Sequence, residues 1–438
     1  MASNNGLSFI DPCLWLVFMS PLIIKTLVAG IAKGAAAVIG FVVTIFITRT
    51  LGAEQSGLFL LGFTLVFALS GFFRLGLDHV ILRIIGSEGI STLSQNYLNK
   101  GLLWISVAVI PFAIVVASFS DLIAISIFNK PDFSNVLKWF AMALPSITLF
   151  TIIGMAYQGL HKAVISILFQ NLGLSSLFLI CVVLWVFGGW APLTASYAAG
   201  IYAVSAFFIG LLGFILWFKQ EGVHYKLGTF SDKRMWSASS NLWAASCMTL
   251  LVQWSGVLVA GILITSQELA FLSAAQRAAM LTNFVLIVVN MVVAPRYAKL
   301  WQQNKRAEIK KLAKLSTRAM IAMVLPVILI FVVVPEWIMS FFGEGFERGS
   351  SLLLIMALGQ FVNVATGSVG YLLTMSGHER DFRRVTLFAG PLTVILSYLL
   401  IMEYGALGAA IATAIGLSVQ NIGALIMVRK RLGFWPVG

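Results

Sequence analysis

With 438 residues, of which 60% are hydrophobic and only 10% charged, and a mean hydropathy of +0.97, this chain is far from a soluble domain, where about 25% of residues are charged. Its net charge of +13 would point to nucleic acid in a soluble protein, but in so apolar a chain it belongs to basic loops beside membrane spans, and no nucleic-acid partner is expected. Cys13, Cys181 and Cys247 have no paired spacing and the four histidines are scattered near helix ends, so no disulfide framework, metal site or cofactor is indicated.

A helix needs about 20 apolar residues to cross a bilayer, and the apolar runs predict an all-α, polytopic membrane protein with about twelve transmembrane helices. Residues 1–25 read as a lead-in: residues 9–24 are interrupted by Asp11, Pro12 and Pro21, and they lack the basic n-region and A-x-A site of a cleaved signal. The predicted spans then follow at residues 26–48, 58–78, 101–121, 136–157, 165–187 and 193–217. A linker over residues 219–238 leads to spans at 239–264, 269–294, 318–341, 351–375, 385–403 and 405–428. Twenty-two of the 29 Lys and Arg residues fall on the side that holds both termini, with the densest cluster over residues 296–318. The other side has only Arg49, Lys130, Lys138 and Arg348, so the positive-inside rule places both termini in the cytoplasm.

The chain resembles itself at an offset of 214 residues: Ser126-Ile127-Phe128 falls on Ser340-Phe341-Phe342, and Met142-Ala143-Leu144 on Met356-Ala357-Leu358. Leu193, Ala195 and Ala198 fall on Leu407, Ala409 and Ala412. Six helices return the chain to its starting side, so residues 26–218 and 239–438 are expected to be parallel six-helix repeats about an axis along the membrane normal, with substrate between them.

Three cations fall inside predicted spans: Lys33, Arg74 and Arg277. A charge at that depth costs about 2.5–3.5 kcal/mol on insertion scales, and such residues face partners or water-filled cavities. All three are positive, which suggests a site for an anion. Seven residues make almost two helical turns, so Lys33 shares a face with Thr26 and Gly40 in the first span. In the eighth, Gln276, Asn283 and Asn290 share a face, flanked by Ser273, Arg277 and Met280. The candidate substrate-binding residues are therefore Lys33, Arg277, Gln276, Asn283, Asn290 and Arg74, with no catalytic or metal-ligating set. Each has a structural alternative: the Lys33 stem can snorkel, Arg74 can pair with Asp78 one turn on, and amides can bind helix to helix. Under the offset, Lys33 corresponds to Cys247 and Arg277 to Phe63, so neither charge is duplicated. Pro111, Pro145, Pro326 and Pro391 interrupt spans and read as bending points or static kinks.

The turn Arg49-Thr50-Leu51-Gly52-Ala53-Glu54-Gln55-Ser56-Gly57-Leu58-Phe59 resembles the R-x-LG-x-x-x-x-G-x-F turn of bacterial polysaccharide (O-antigen type) flippases. Leu75-Gly76-Leu77-Asp78, Phe341-Phe342-Gly343-Glu344-Gly345-Phe346, Leu358-Gly359-Gln360-Phe361-Val362-Asn363 and the start Gly405-Ala406-Leu407-Gly408 of the last span are similar to further segments of that family, in the same order. The resemblance covers most of the chain beyond the lead-in. It implies a flippase that carries a polyprenyl-pyrophosphate-linked oligosaccharide across the bacterial cytoplasmic (inner) membrane by alternating access. Its partners would be that lipid-linked glycan, the bilayer and membrane proteins of polysaccharide assembly. Within the same superfamily the alternatives are a multidrug or small-molecule extruder and a lipid II flippase. Where many relatives carry an acid in the seventh span, this chain has Gln253-Trp254-Ser255-Gly256. An extruder of cations would want intramembrane carboxylates, whereas Asp78, Asp121 and Glu336 fall at helix ends. An enzyme would want an extramembrane domain with catalytic carboxylates or histidines, which the short loops do not provide.

Overall fold

The computed structural model describes residues 21–220 and 233–437, so most of the lead-in and of the 219–238 linker lies outside the described residues. Among the described residues every regular element is helical. In chain order the α-helices are α1 (Pro21–Phe73), α2 (Leu77–Glu88), α3 (Thr92–Ser118), α4 (Ser120–Ser126), α5 (Phe133–Gly159), α6 (Ala163–Ile167), α7 (Gly173–Phe187) and α8 (Ala195–Phe218). Then come α9 (Lys233–Leu263), α10 (Ser266–Met280), α11 (Asn283–Gln302), α12 (Arg306–Val333), α13 (Pro335–Ser340), α14 (Ser350–Ala365), α15 (Val369–Met375), α16 (Glu379–Tyr404) and α17 (Ala406–Leu432).

Ten helical stretches are long and apolar enough to cross a membrane, or eleven when the pair Val164–Gln170 and Gly173–Phe187, bent by 52°, counts as one span. The long α1 is itself two limbs. As a straight rod its 53 residues would reach about 80 Å, against a hydrocarbon core of about 30 Å. Gly52 breaks it with φ 71° and ψ 176°, a backbone conformation that costs an L-residue energy and glycine little. With its limbs of residues 21–51 and 53–73 taken separately, the described chain carries the twelve crossings expected from the sequence.

Helices suit lipid because every backbone bond closes internally, and the buried hydroxyls follow the same rule. Thr44, Thr48, Thr64, Thr148, Ser205, Thr393 and Thr413 each donate to the carbonyl four residues earlier. The helices pack in two groups. In the first, α5 touches α1, α2, α3 and α8; in the second, α16 packs on α9 and α17, and α14 on α10, α12 and α17. Contact between the groups runs mainly through α1 against α9, α10 and α11. The second limb of α1 and the antiparallel α9 form one seam, with Leu61 against Gly261, Leu250 against Gly71 and Ser239 against Gly76. One end of the bundle carries the basic loops, and the other, where Arg49 and Lys130 lie, carries few.

Candidate functional site

The eighth predicted span is two helices. A capping box at Thr265 and Glu268 starts α10, which ends at Met280; Leu281 and Thr282 form a turn, and α11 begins at Asn283. Broken spans of this kind border binding sites in many transporters. Arg277 sits in the last turn of α10, eleven residues and so roughly 16 Å along the helix from Ser266, about half the thickness of a hydrocarbon core of about 30 Å. The carbonyl end of a helix favours a cation there.

The side chain leans across to the first group of helices. Its guanidinium lies 4.2 Å from the ring centroid of Phe63 on α1, a cation–π contact that gains strength when shielded from water. Phe63 also meets Tyr202 of α8 at 5.5 Å, and behind them Phe59 stacks on Phe178 at 5.7 Å and meets Phe140 at 5.4 Å. Arg277 Nη2, the Tyr202 hydroxyl and the Ser273 hydroxyl one turn earlier are buried and hydrogen-bond no described residue. Buried polar groups are nearly always paired, so this cluster of free donors is conspicuous. Under the 214-residue offset expected from the sequence Arg277 corresponds to Phe63, and these two touch. In a two-fold arrangement a position that meets its own counterpart lies at the axis.

Lys33 is half-buried on the first limb of α1. Val28, Ile31, Val38 and Val42 form that limb's exposed apolar stripe, and at about 100° per residue Lys33 lies on the opposite side, with Gly40 and Thr44. Its neighbour Gly34 abuts the ring of Phe284 on α11, seven residues past Arg277, which staggers the two cations by roughly 10 Å along the bundle. Among the described residues the ion pairs are Arg74–Asp78 at 3.2 Å, Lys305–Glu308, and Asp381 with Arg384 and Arg431; neither Lys33 nor Arg277 belongs to one.

The other candidates divide. Arg74 takes the local pairing with Asp78. Gln276 donates to the Gln253 carbonyl at 2.7 Å and ties α10 to α9. Asn283 accepts from Asn363 at 2.8 Å, and Asn363 also donates to Gln360 at 3.2 Å, an amide cluster joining α11 to α14. Asn290 is buried, and its carbonyl oxygen has no described partner. The structure adds Phe63 and Tyr202. Sequence gave no signal for either, because both lie among other apolar and aromatic residues in separate spans.

A bundle of twelve apolar crossings in two groups, with a broken span and an unpaired cation between them, defines a polytopic membrane transporter. The polysaccharide biosynthesis protein family model matches residues 22–301, and a MatE model matches residues 242–399. The chain belongs to the polysaccharide biosynthesis protein family. It is 23% identical over 407 residues to the "Probable low-salt glycan biosynthesis flippase Agl15" of Haloferax volcanii, covering 91% of this chain and 81% of that protein. Among solved structures, the fold is similar to the lipid II flippase MurJ in an inward closed conformation, with a TM-score of 0.72 at 15% identity over 92% of this chain and 87% of that one. An inward-facing MATE-family multidrug resistance transporter also gives a TM-score of 0.72 at 15% identity, covering 91% and 94%.

Proposed function

We propose that this protein flips a polyprenyl-pyrophosphate-linked oligosaccharide from the cytoplasmic to the external leaflet of the bacterial cytoplasmic membrane by alternating access, making and breaking no covalent bond. Membership of the polysaccharide biosynthesis family and likeness to a glycan flippase support the substrate class. The observation that carries the reading is Arg277, unpaired at mid-membrane beside free Tyr202 and Ser273 hydroxyls. A diphosphate cannot enter hydrocarbon without partners, and guanidinium offers it paired hydrogen bonds. Lys33, nearer the basic end, receives the diphosphate first as a point charge, and Asn290 faces the sugars.

The halves, residues 26–218 and 239–438, rock about the central axis. The polyprenyl chain stays outside, where α14, α16 and α17 enclose an apolar cleft of about 730 Å³ with Arg384 at its basic end. A cation extruder is disfavoured, because the buried Asp78 is committed to Arg74. The test is complementation of a cell that lacks its own flippase. Arg277→Ala is expected to lower surface polysaccharide at least about tenfold at normal protein abundance, the loss of one charge-assisted contact, and Arg277→Lys to retain part of it. Full restoration by Arg277→Ala would sink the reading.

A further inference from the structure

The two helix groups clasp each other at both ends of the bundle, but with different chemistry. At the sparse end Lys130, in the loop between α4 and α5, donates to the Gly261 carbonyl of α9 and to the Ile264 carbonyl just past its end, each at 2.8 Å. Arg49, at the end of the first limb of α1, donates to the Phe341 carbonyl at 2.8 Å and to that of Ser340 at 3.4 Å, just past α13. Both cations therefore cap carbonyls at the C-terminal end of a helix in the other group, where the dipole also favours positive charge.

At the basic end, among the described residues, two neutral donors make the clasp. Trp243 Nε1 donates to the Phe72 carbonyl at 2.8 Å and the Ser239 hydroxyl donates to the Leu75 carbonyl, so α9 caps the end of the second limb of α1. Two glycines allow these approaches. A Cβ at Gly57 would lie 1.8 Å from the Ser266 carbonyl oxygen at the sparse end, and one at Gly76 would lie 2.6 Å from the Trp243 nitrogen at the basic end.

Hydrogen bonds from a charged donor are roughly twice as strong as neutral ones, so the ends are not equally hard to part. We propose that Lys130 and Arg49 are gating residues that hold the sparse end shut, so that the empty protein opens first and preferentially at its basic end. The inference rests on the transport reading for its consequence: loading from the side of the basic loops is the default state, and release requires the substrate to help break the cationic clasp. Lys130 and Arg49 touch no proposed substrate-binding residue.

Pulsed electron-paramagnetic-resonance distances on the full-length, detergent-purified protein with no substrate test this directly. Spin-label pairs on cysteines replacing Glu54 and Gln267 report the sparse end, and a pair replacing His79 and Leu242 reports the basic end, with native cysteines replaced. The expected result is a single short distance at the sparse end and an added longer component at the basic end. Lys130→Met with Arg49→Leu should raise the open fraction at the sparse end by about tenfold, the change that about 1.4 kcal/mol produces. Gly57→Val wedges the same contact without touching either cation and should shift the same pair, which guards against a folding defect in the double variant. Trp243→Phe should open only the basic-end pair. A sparse end that opens first in the parent protein, or a sparse-end distribution unmoved by both the double variant and Gly57→Val, overturns the proposal. Because no substrate is present, that failure is distinct from a failure of complementation by the parent protein, which would count against the flippase reading itself.

Discussion

Arg277 has given up water and gained no carboxylate, which is a costly state for a guanidinium. A residue kept for folding would be expected to have a partner, so stability and transport should separate on its removal. Arg277→Met is expected to leave the thermal unfolding midpoint unchanged or raised while transport falls at least about tenfold, as measured by unfolding in detergent beside the complementation assay. Asn363→Ala should behave in the opposite way, losing about 0.6 kcal/mol of stability, the average worth of such a bond between membrane helices, with a smaller effect on transport. Much at this scale was legible beforehand. Arg74 and Asp78 do pair as their spacing suggests, although they meet across the turn at Leu75 and Gly76, both at positive φ, rather than along one helix. Phe63 and Tyr202 were not legible, since their contact with the eighth span is made across helices far apart in sequence and no local spacing records it.

The elements themselves show where sequence reading stops. Apolar length marked the crossings, since only helices satisfy their backbone in lipid. Whether two crossings join by a loop or by one bent residue was invisible: Gly52 turns the chain so tightly that the helical bonding pattern runs nearly unbroken from Pro21 to Phe73. Gly52→Ala is expected to cost about 1–2 kcal/mol, since an L-residue is strained at that φ, and to appear as a lower unfolding midpoint. The break after Arg277 was equally hidden, because neither Gly nor Pro marks it. Leu281 and Thr282 instead tighten onto carbonyls three residues back, and the Thr282 hydroxyl takes the Ala279 carbonyl at 2.7 Å. A side chain that competes for backbone acceptors can end a helix, but Thr44 and Thr48 make similar bonds inside an unbroken limb.

At the scale of the molecule, the two groups of helices pack chiefly on themselves. Residues 1–228 and 229–438, made as separate chains in one cell, are therefore expected to assemble and to restore measurable transport; failure with both fragments present in the membrane would count against independent halves. The charge asymmetry makes a further prediction. A reporter that fluoresces only in the cytoplasm should light up when fused after Gly438, and a fusion at Lys130 should stay dark. With the basic end inside, as the charge asymmetry predicts, the unpaired Arg277 has an electrical consequence. The cell interior is negative, and moving one charge through the whole membrane potential is worth about 2.3 kcal/mol per 100 mV. On the proposed reading the empty carrier bears a bare cation between its halves, and in the loaded one the diphosphate outweighs it. Any part of the field that Arg277 traverses as the halves rock thus draws the empty protein back toward the inside and drives the loaded, net-negative one outward. The resting voltage would pull the two legs of the cycle in the directions that transport needs, without any ion crossing alongside.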